Sequence, residues 1–111
     1  MRKYFSIAMM LVFFAGANLA RAQGGDAKAG KALYDKSCAT CHGADGTAKE
    51  AIAKMMKVEI PHLGAKEVQA KSGADLKKVV TDGFQKMKPV KGLPDKDLAN
   101  IIAYVRTLKK A

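Results

Sequence analysis

Apolar side chains follow two different patterns along the 111-residue chain. From Tyr4 to Ala17 they run almost unbroken, whereas from Asp26 onward they recur every three or four positions among lysines and acids. The first run is preceded by Arg2 and Lys3 and ends in Ala20-Arg21-Ala22, a small-x-small cleavage pattern. It is shorter than the roughly 20 apolar residues that span a bilayer. We therefore expect residues 1–22 to be a cleaved export signal, with Gln23 starting the mature chain. An uncleaved anchor is the alternative. Residues 23–111 then form one small domain, and no other stretch approaches a membrane span.

Within residues 23–111 the spacing predicts helices. Asp26 is a candidate N-cap for a helix running to about Lys36, with Ala29, Ala32 and Leu33 on one face. Gly43-Ala44-Asp45-Gly46 reads as a turn. Ala48–Lys57 is a helix candidate that Pro61 follows. Ser72 is placed to cap another helix, with Leu76, Val79 and Val80 inward and Gly83 closing it. Phe84–Gly92 is irregular. The clearest stripe is the last: Leu98, Ile101, Ile102, Val105 and Leu108 lie on one face, with Asp95 and Asp97 in the first turn and Arg106, Lys109 and Lys110 near the end. Strand alternation is missing from this pattern, so the expected class is all-α.

Composition sharpens this picture. Removing residues 1–22 takes away Arg2, Lys3 and Arg21 and lowers the formal net charge from +10 to +7. Of the 17 remaining basic residues, 16 are lysine, and only Tyr34, Phe84 and Tyr104 are aromatic. Nucleic-acid surfaces rely more on arginine and interleaved aromatics, so a nucleic-acid partner is not expected. A lysine-rich surface instead suits steering toward acidic partners. The mature segment has 38 apolar residues, 14 of them alanine, which is little bulk for a core. Something besides side chains is expected to fill the centre.

Cys38-Ala39-Thr40-Cys41-His42 is the chemical focus. Cys-x-x-Cys-His is the attachment signal for c-type haem. On a helical turn residues i and i+3 share a face, so both thiols can reach the two vinyl groups of one porphyrin. His42 then falls beneath the iron as the proximal ligand. Other readings of the two cysteines are a plain disulfide, a zinc site with His62, or a redox-active dithiol. The disulfide leaves His42 unexplained, the zinc site is short of ligands, and the dithiol lacks a βαβ context.

A second axial ligand is sought among Met55, Met56, Met87 and His62. Met87 is favoured, because a loop between two helices can swing its thioether over the distal face. His62 is the runner-up. Met55 and Met56 are expected to pack a core and carry no assigned function.

On these residues the mature chain resembles the small single-haem class I c-type cytochromes of bacteria. Gly30, Tyr34 and Cys38 are spaced like the N-terminal helix of that family, where the glycine lets the C-terminal helix cross closely. Tyr104 matches the aromatic of that last helix. Pro61-His62-Leu63 is similar to the family's Pro-x-Leu segment. The resemblance implies that the Pro61 carbonyl orients His42 through its second ring nitrogen, and that Leu63 packs on the haem. Met87 resembles the distal methionine, although Lys88 here separates it from Pro89. Pro94 stands where a Ser or Thr often caps the last helix, so Asp95 is expected to take over part of that role. The implied fold is N- and C-terminal helices crossing around one covalently held haem c.

With His42 and Met87 both bound, the iron has no open position. The expected function is therefore a soluble periplasmic electron carrier and not an enzyme. Its expected partners are redox proteins with acidic docking surfaces, and it is expected to be a monomer. A haem-based ligand-binding or peroxide-reacting protein, with a labile sixth position, is the alternative. A haem subunit anchored in a larger respiratory complex uses the same chemistry.

Overall fold

The structure is a computed structural model and describes residues 25–110. The export-signal reading of residues 1–22 lies outside the described residues. Six helices follow one another: α1 (Ala27–Ser37), α2 (Ala39–His42), α3 (Glu50–Met56), α4 (Lys66–Gln69), α5 (Gly73–Asp82) and α6 (Asp95–Thr107). Among the described residues the only β-pairing is one isolated bridge, Phe84 to Met87.

Local chemistry sets most of the boundaries. The Asp26 carboxylate accepts from the Lys28 N–H at 2.9 Å and the Ala29 N–H at 3.4 Å, starting α1. Ser72 Oγ accepts from the Asp75 N–H at 3.1 Å, starting α5, and Gly83 ends it at φ 81°. α3 starts at Glu50, two residues later than the sequence suggests, because no side chain caps its N-terminus at Lys49. It ends on Lys57 in the left-handed region at φ 56°. At the start of α6 Pro94 occupies the cap position without a side-chain bond. Asp95 pairs with Lys77 at 3.4 Å and does not cap. The short helix α4, unpredicted, begins at Lys66 after Ala65, which offers no side-chain cap.

α6 is the organising element, with α1 packed along it and α5 on another side. The expected inner face of α1 needs correction. Ala29 and Ala32 are exposed, whereas Gly30 and Tyr34 are buried and Leu33 is half-buried. The reason is the closeness of the crossing: a Cβ on Gly30 would lie 1.8 Å from the Asn100 carbonyl oxygen, so only glycine fits there. Tyr34, Ile101 and Val105 form one buried cluster, and Val68, Leu76 and Ile102 a second. Leu63 packs against both. On α6 the predicted stripe is buried from Leu98 through Val105, and Leu108 is half-buried.

Met55 departs from its expected core role, being 72% exposed. Ile52, Ala53 and Met56 are the half-buried residues of α3, and Met55 is one step round the helix from Met56.

Polar side chains complete the frame. Asn100, buried on α6, accepts the Asp26 N–H at 2.8 Å and so ties the start of α1 to α6. Gln69 donates to the carbonyls of Leu63 (2.8 Å) and Val105 (3.0 Å). Arg106 donates to the carbonyls of Gln69 (2.9 Å) and Lys71 (2.7 Å). Each meets a backbone group at a helix end or in a loop, where the helical ladder is incomplete.

Candidate functional site

α1 hands the chain directly to the site. Cys38 closes α1, its N–H donating to the Tyr34 carbonyl at 2.8 Å, and also opens α2. The His42 N–H returns to the Cys38 carbonyl at 3.0 Å, and the Gly43 N–H to the Ala39 carbonyl at 2.9 Å. Cys38, Cys41 and His42 therefore share one turn of helix, as their spacing predicts. Both cysteines are free thiols and half-buried. Cys38 packs against the Tyr34–Ile101–Val105 cluster. Its burial pushes the thiol up to about 11.

His42 is half-buried, but its Nδ1 is enclosed and without a hydrogen-bond partner among the described residues. Burial also holds the His42 imidazole below its ordinary range, favouring the neutral ring. The bond expected from Nδ1 to the Pro61 carbonyl is not among those formed. Pro61 is exposed, and the segment it leads is fixed elsewhere. The Leu63 N–H donates to the Gly46 carbonyl at 3.1 Å, which brings Leu63 to the loop after His42. His62 Nδ1 accepts the Gly64 N–H at 2.8 Å.

Met87 sits on a different element. Its N–H donates to the Phe84 carbonyl at 2.8 Å and its carbonyl accepts the Phe84 N–H at 3.1 Å, closing a tight turn through Gln85 at φ 51°. The Val90 N–H pins the following segment to the Val80 carbonyl of α5 at 2.8 Å. Lys86 Nζ donates to the Met56 carbonyl, linking this turn to the end of α3. The Met87 side chain is half-buried. The expected loop between two helices is thus an ordered turn held by α5 and α3.

The residues present suit a covalently attached haem. Two free thiols flank one turn, the neighbouring histidine has an enclosed unpartnered ring nitrogen, and Leu63 stands in the adjoining wall. Rival uses of the cysteines fit less well. Among the described residues no three His, Cys, Asp or Glu groups converge as a metal cage, which removes the zinc reading. A thioredoxin-like βαβ frame is missing from them as well.

The sequence reading missed the hydroxyl partners of two tyrosines. Tyr34 OH donates to the Gly43 carbonyl at 2.6 Å, and Tyr104 OH to the Ala44 carbonyl at 3.0 Å. The only signal in the sequence is that both aromatics carry a hydroxyl.

Comparison with known proteins agrees with this geometry. Residues 25–105 match the family described as cytochrome c oxidase, cbb3-type, subunit III. The chain is 40% identical over 90 residues to cytochrome c-554(547) of Halothiobacillus neapolitanus, an alignment covering 77% of this chain and 99% of that protein. Among solved structures it is similar to the KustC0563 c-type cytochrome, with a TM-score of 0.63 and 27% identity. That match covers 73% of this chain and 98% of the other. A helical frame built around a Cys-x-x-Cys-His turn, a family match over most of the chain and a similar all-α solved structure lead to one assignment: the chain belongs to the c-type cytochromes, electron-carrying proteins with covalently bound haem c, within the family of the cbb3-type subunit III.

Proposed function

We propose that this protein is a periplasmic one-electron carrier holding a single haem c, with His42 and Met87 as axial ligands. The observation that carries the reading is the Cys38–His42 turn, where two free thiols adjoin an imidazole whose enclosed Nδ1 has no partner. An unsatisfied buried polar atom costs about 1–3 kcal/mol, so its retention points to a role in which the ring is used.

In this reading Cys38 and Cys41 supply the two thioether sulfurs. His42, kept neutral by burial, offers a nitrogen lone pair to iron. Leu63, half-buried beside the loop after His42, would pack against the porphyrin and keep water from the His42 side, with Pro61 at the exposed rim. Met87 contributes a soft thioether, which favours the reduced iron and raises the potential. When bound, the haem supplies the Fe(III)/Fe(II) couple. With His42 and Met87 both holding the iron, no position would remain for a substrate, and the protein would pass electrons without transforming a bound molecule.

Lysines dominate the surface, and the mature charge is +7 once residues 1–22 are removed. That charge would orient a monomeric carrier toward acidic faces of respiratory partners, in small transient interfaces. Among the described residues no helix is long and apolar enough to cross a membrane.

A redox-controlled absorption spectrum of the exported protein tests the proposal. The expected result is a low-spin spectrum with a sulfur-to-iron charge-transfer band, unchanged by carbon monoxide. A high-spin spectrum or ready gas binding would instead establish the ligand-binding or peroxide-reacting alternative. N-terminal sequencing is expected to begin at Gln23. A start at Met1 would instead show that residues 1–22 stay attached.

A further inference from the structure

The two tyrosine hydroxyls reach the two residues that directly follow His42. We propose that Tyr34 and Tyr104 form a clamp that sets the position of the His42 imidazole and thereby the potential of the haem iron. This inference rests on the proposed role of His42 as a ligand.

The clamp is built from opposite ends of the domain. α1 and α6 cross at Gly30, where the backbones come too close for any side chain. One turn further along α1 is Tyr34, 0% exposed, and one turn further along α6 is Tyr104. Their rings pack at 4.9 Å between centroids with a 60° tilt, each limiting the other's movement. From this pair one hydroxyl goes to the Gly43 carbonyl at 2.6 Å and the other to the Ala44 carbonyl at 3.0 Å. Two consecutive peptide carbonyls are thus held by two different helices.

The backbone on the near side of His42 is held too. The His42 and Gly43 N–H groups return to Cys38 and Ala39 at 3.0 and 2.9 Å. Gly43 itself leaves α2 at φ 72°, and a Cβ there would lie 2.2 Å from the Thr47 carbonyl oxygen. The imidazole has no comparable restraint, because Nδ1 has no hydrogen-bond partner. Its placement therefore follows from its backbone, to which the tyrosines add the hold on the far side, at Gly43 and Ala44.

Removing a hydroxyl would act in two ways. It would let the Gly43–Ala44 peptides move, loosening His42. It would also leave the Gly43 carbonyl with only the longer Gly46 N–H bond at 3.4 Å, and this less compensated negative dipole favours the more positive iron. Both tyrosines are positioning residues, since neither is placed in contact with the iron.

The test uses Tyr34→Phe, Tyr104→Phe and the double variant, exported and haem-loaded as the full chain. Phenylalanine keeps the ring packing. Asn100→Ala serves as a stability control, because Asn100 ties α1 to α6 through Asp26, away from Gly43 and Ala44. At the wild-type midpoint potential we expect the reduced-to-oxidised ratio to fall at least threefold in Tyr34→Phe and further in the double variant. A tenfold fall corresponds to about 59 mV for one electron. Asn100→Ala should lower the melting temperature with the ratio unchanged.

Tyrosine variants that lose thermal stability but keep the wild-type ratio would overturn the clamp, as would an equal potential shift in Asn100→Ala. A wild-type protein without haem at Cys38 and Cys41 would overturn the functional reading and the clamp together. A normal wild-type spectrum with unshifted variants overturns the clamp alone.

Discussion

Tyr34 combines total burial with a short hydrogen bond to Gly43, and both features resist loss of its phenolic proton. Burial is the main cause, and it raises the Tyr34 pKa above its ordinary value of 10.0. The unfolded phenol ionises from about pH 10, while the folded one stays protonated, so the unfolded state gains as pH rises. Stability contributed by Tyr34 is present below pH 10 and lost as pH climbs from there toward the folded value. Thermal unfolding between pH 8 and 11 should therefore fall more steeply for wild type than for Tyr34→Phe. At the same scale, Met87→Ala is expected to abolish the sulfur-to-iron charge-transfer band and admit carbon monoxide, seen by absorption. A band that survives would move the distal role to another methionine, Met55 or Met56, whereas a low-spin spectrum without the band in the wild type would move it to His62. The Cys38, Cys41 and His42 positions were legible because three residues of fixed chemistry fall within five positions. The free Nδ1 of His42 was not, because only the folded environment shows which atoms approach a ring.

At the scale of elements, the α1–α6 crossing concentrates the consequences. Gly30→Ala would drive a Cβ into the Asn100 carbonyl, and backbone cannot rotate away as a side chain can. Overpacking typically costs about 1–3 kcal/mol, and this change should reach at least the top of that range by denaturant unfolding. Asp26→Ala removes two hydrogen bonds at the start of α1 and should cost about 1 kcal/mol in the same assay. The caps of α1 and α5 could be read from the chain, since Asp26 and Ser72 bond to amides two or three residues away. On the inner face of α1 the apolar spacing misled, whereas the resemblance carried by Gly30 and Tyr34 had the close crossing right. Ala29, Ala32 and Leu33 have helical spacing, but the close crossing selects the smallest residue, and that is Gly30. α4 was missed for a different reason: its start has neither a side-chain cap nor a periodic stripe longer than four residues.

For the whole molecule, charge and assembly matter more than any single contact. The net charge of +7 over residues 23–111, with lysine supplying 16 of the 17 basic side chains, predicts that reduction by an acidic redox protein slows as salt rises. Stopped-flow rates between about 10 mM and 1 M salt should fall severalfold; a flat profile would remove electrostatic steering from the account. By itself the sequence determined the all-α class, the helix starts at Asp26 and Ser72, the stripe of α6 and the Cys-x-x-Cys-His turn. All of these depend on residues within a few positions of one another. The tertiary structure alone decided where Asn100, Gln69 and Arg106 spend their hydrogen bonds, and which carbonyls the tyrosine hydroxyls take. Their partners lie far along the chain, 74 residues away for Asn100 and Asp26, 60 for Tyr104 and Ala44, and 36 for Gln69 and Val105. Periodicity reports which side of a helix is apolar, but the partner across a crossing exists only once distant segments have been brought together.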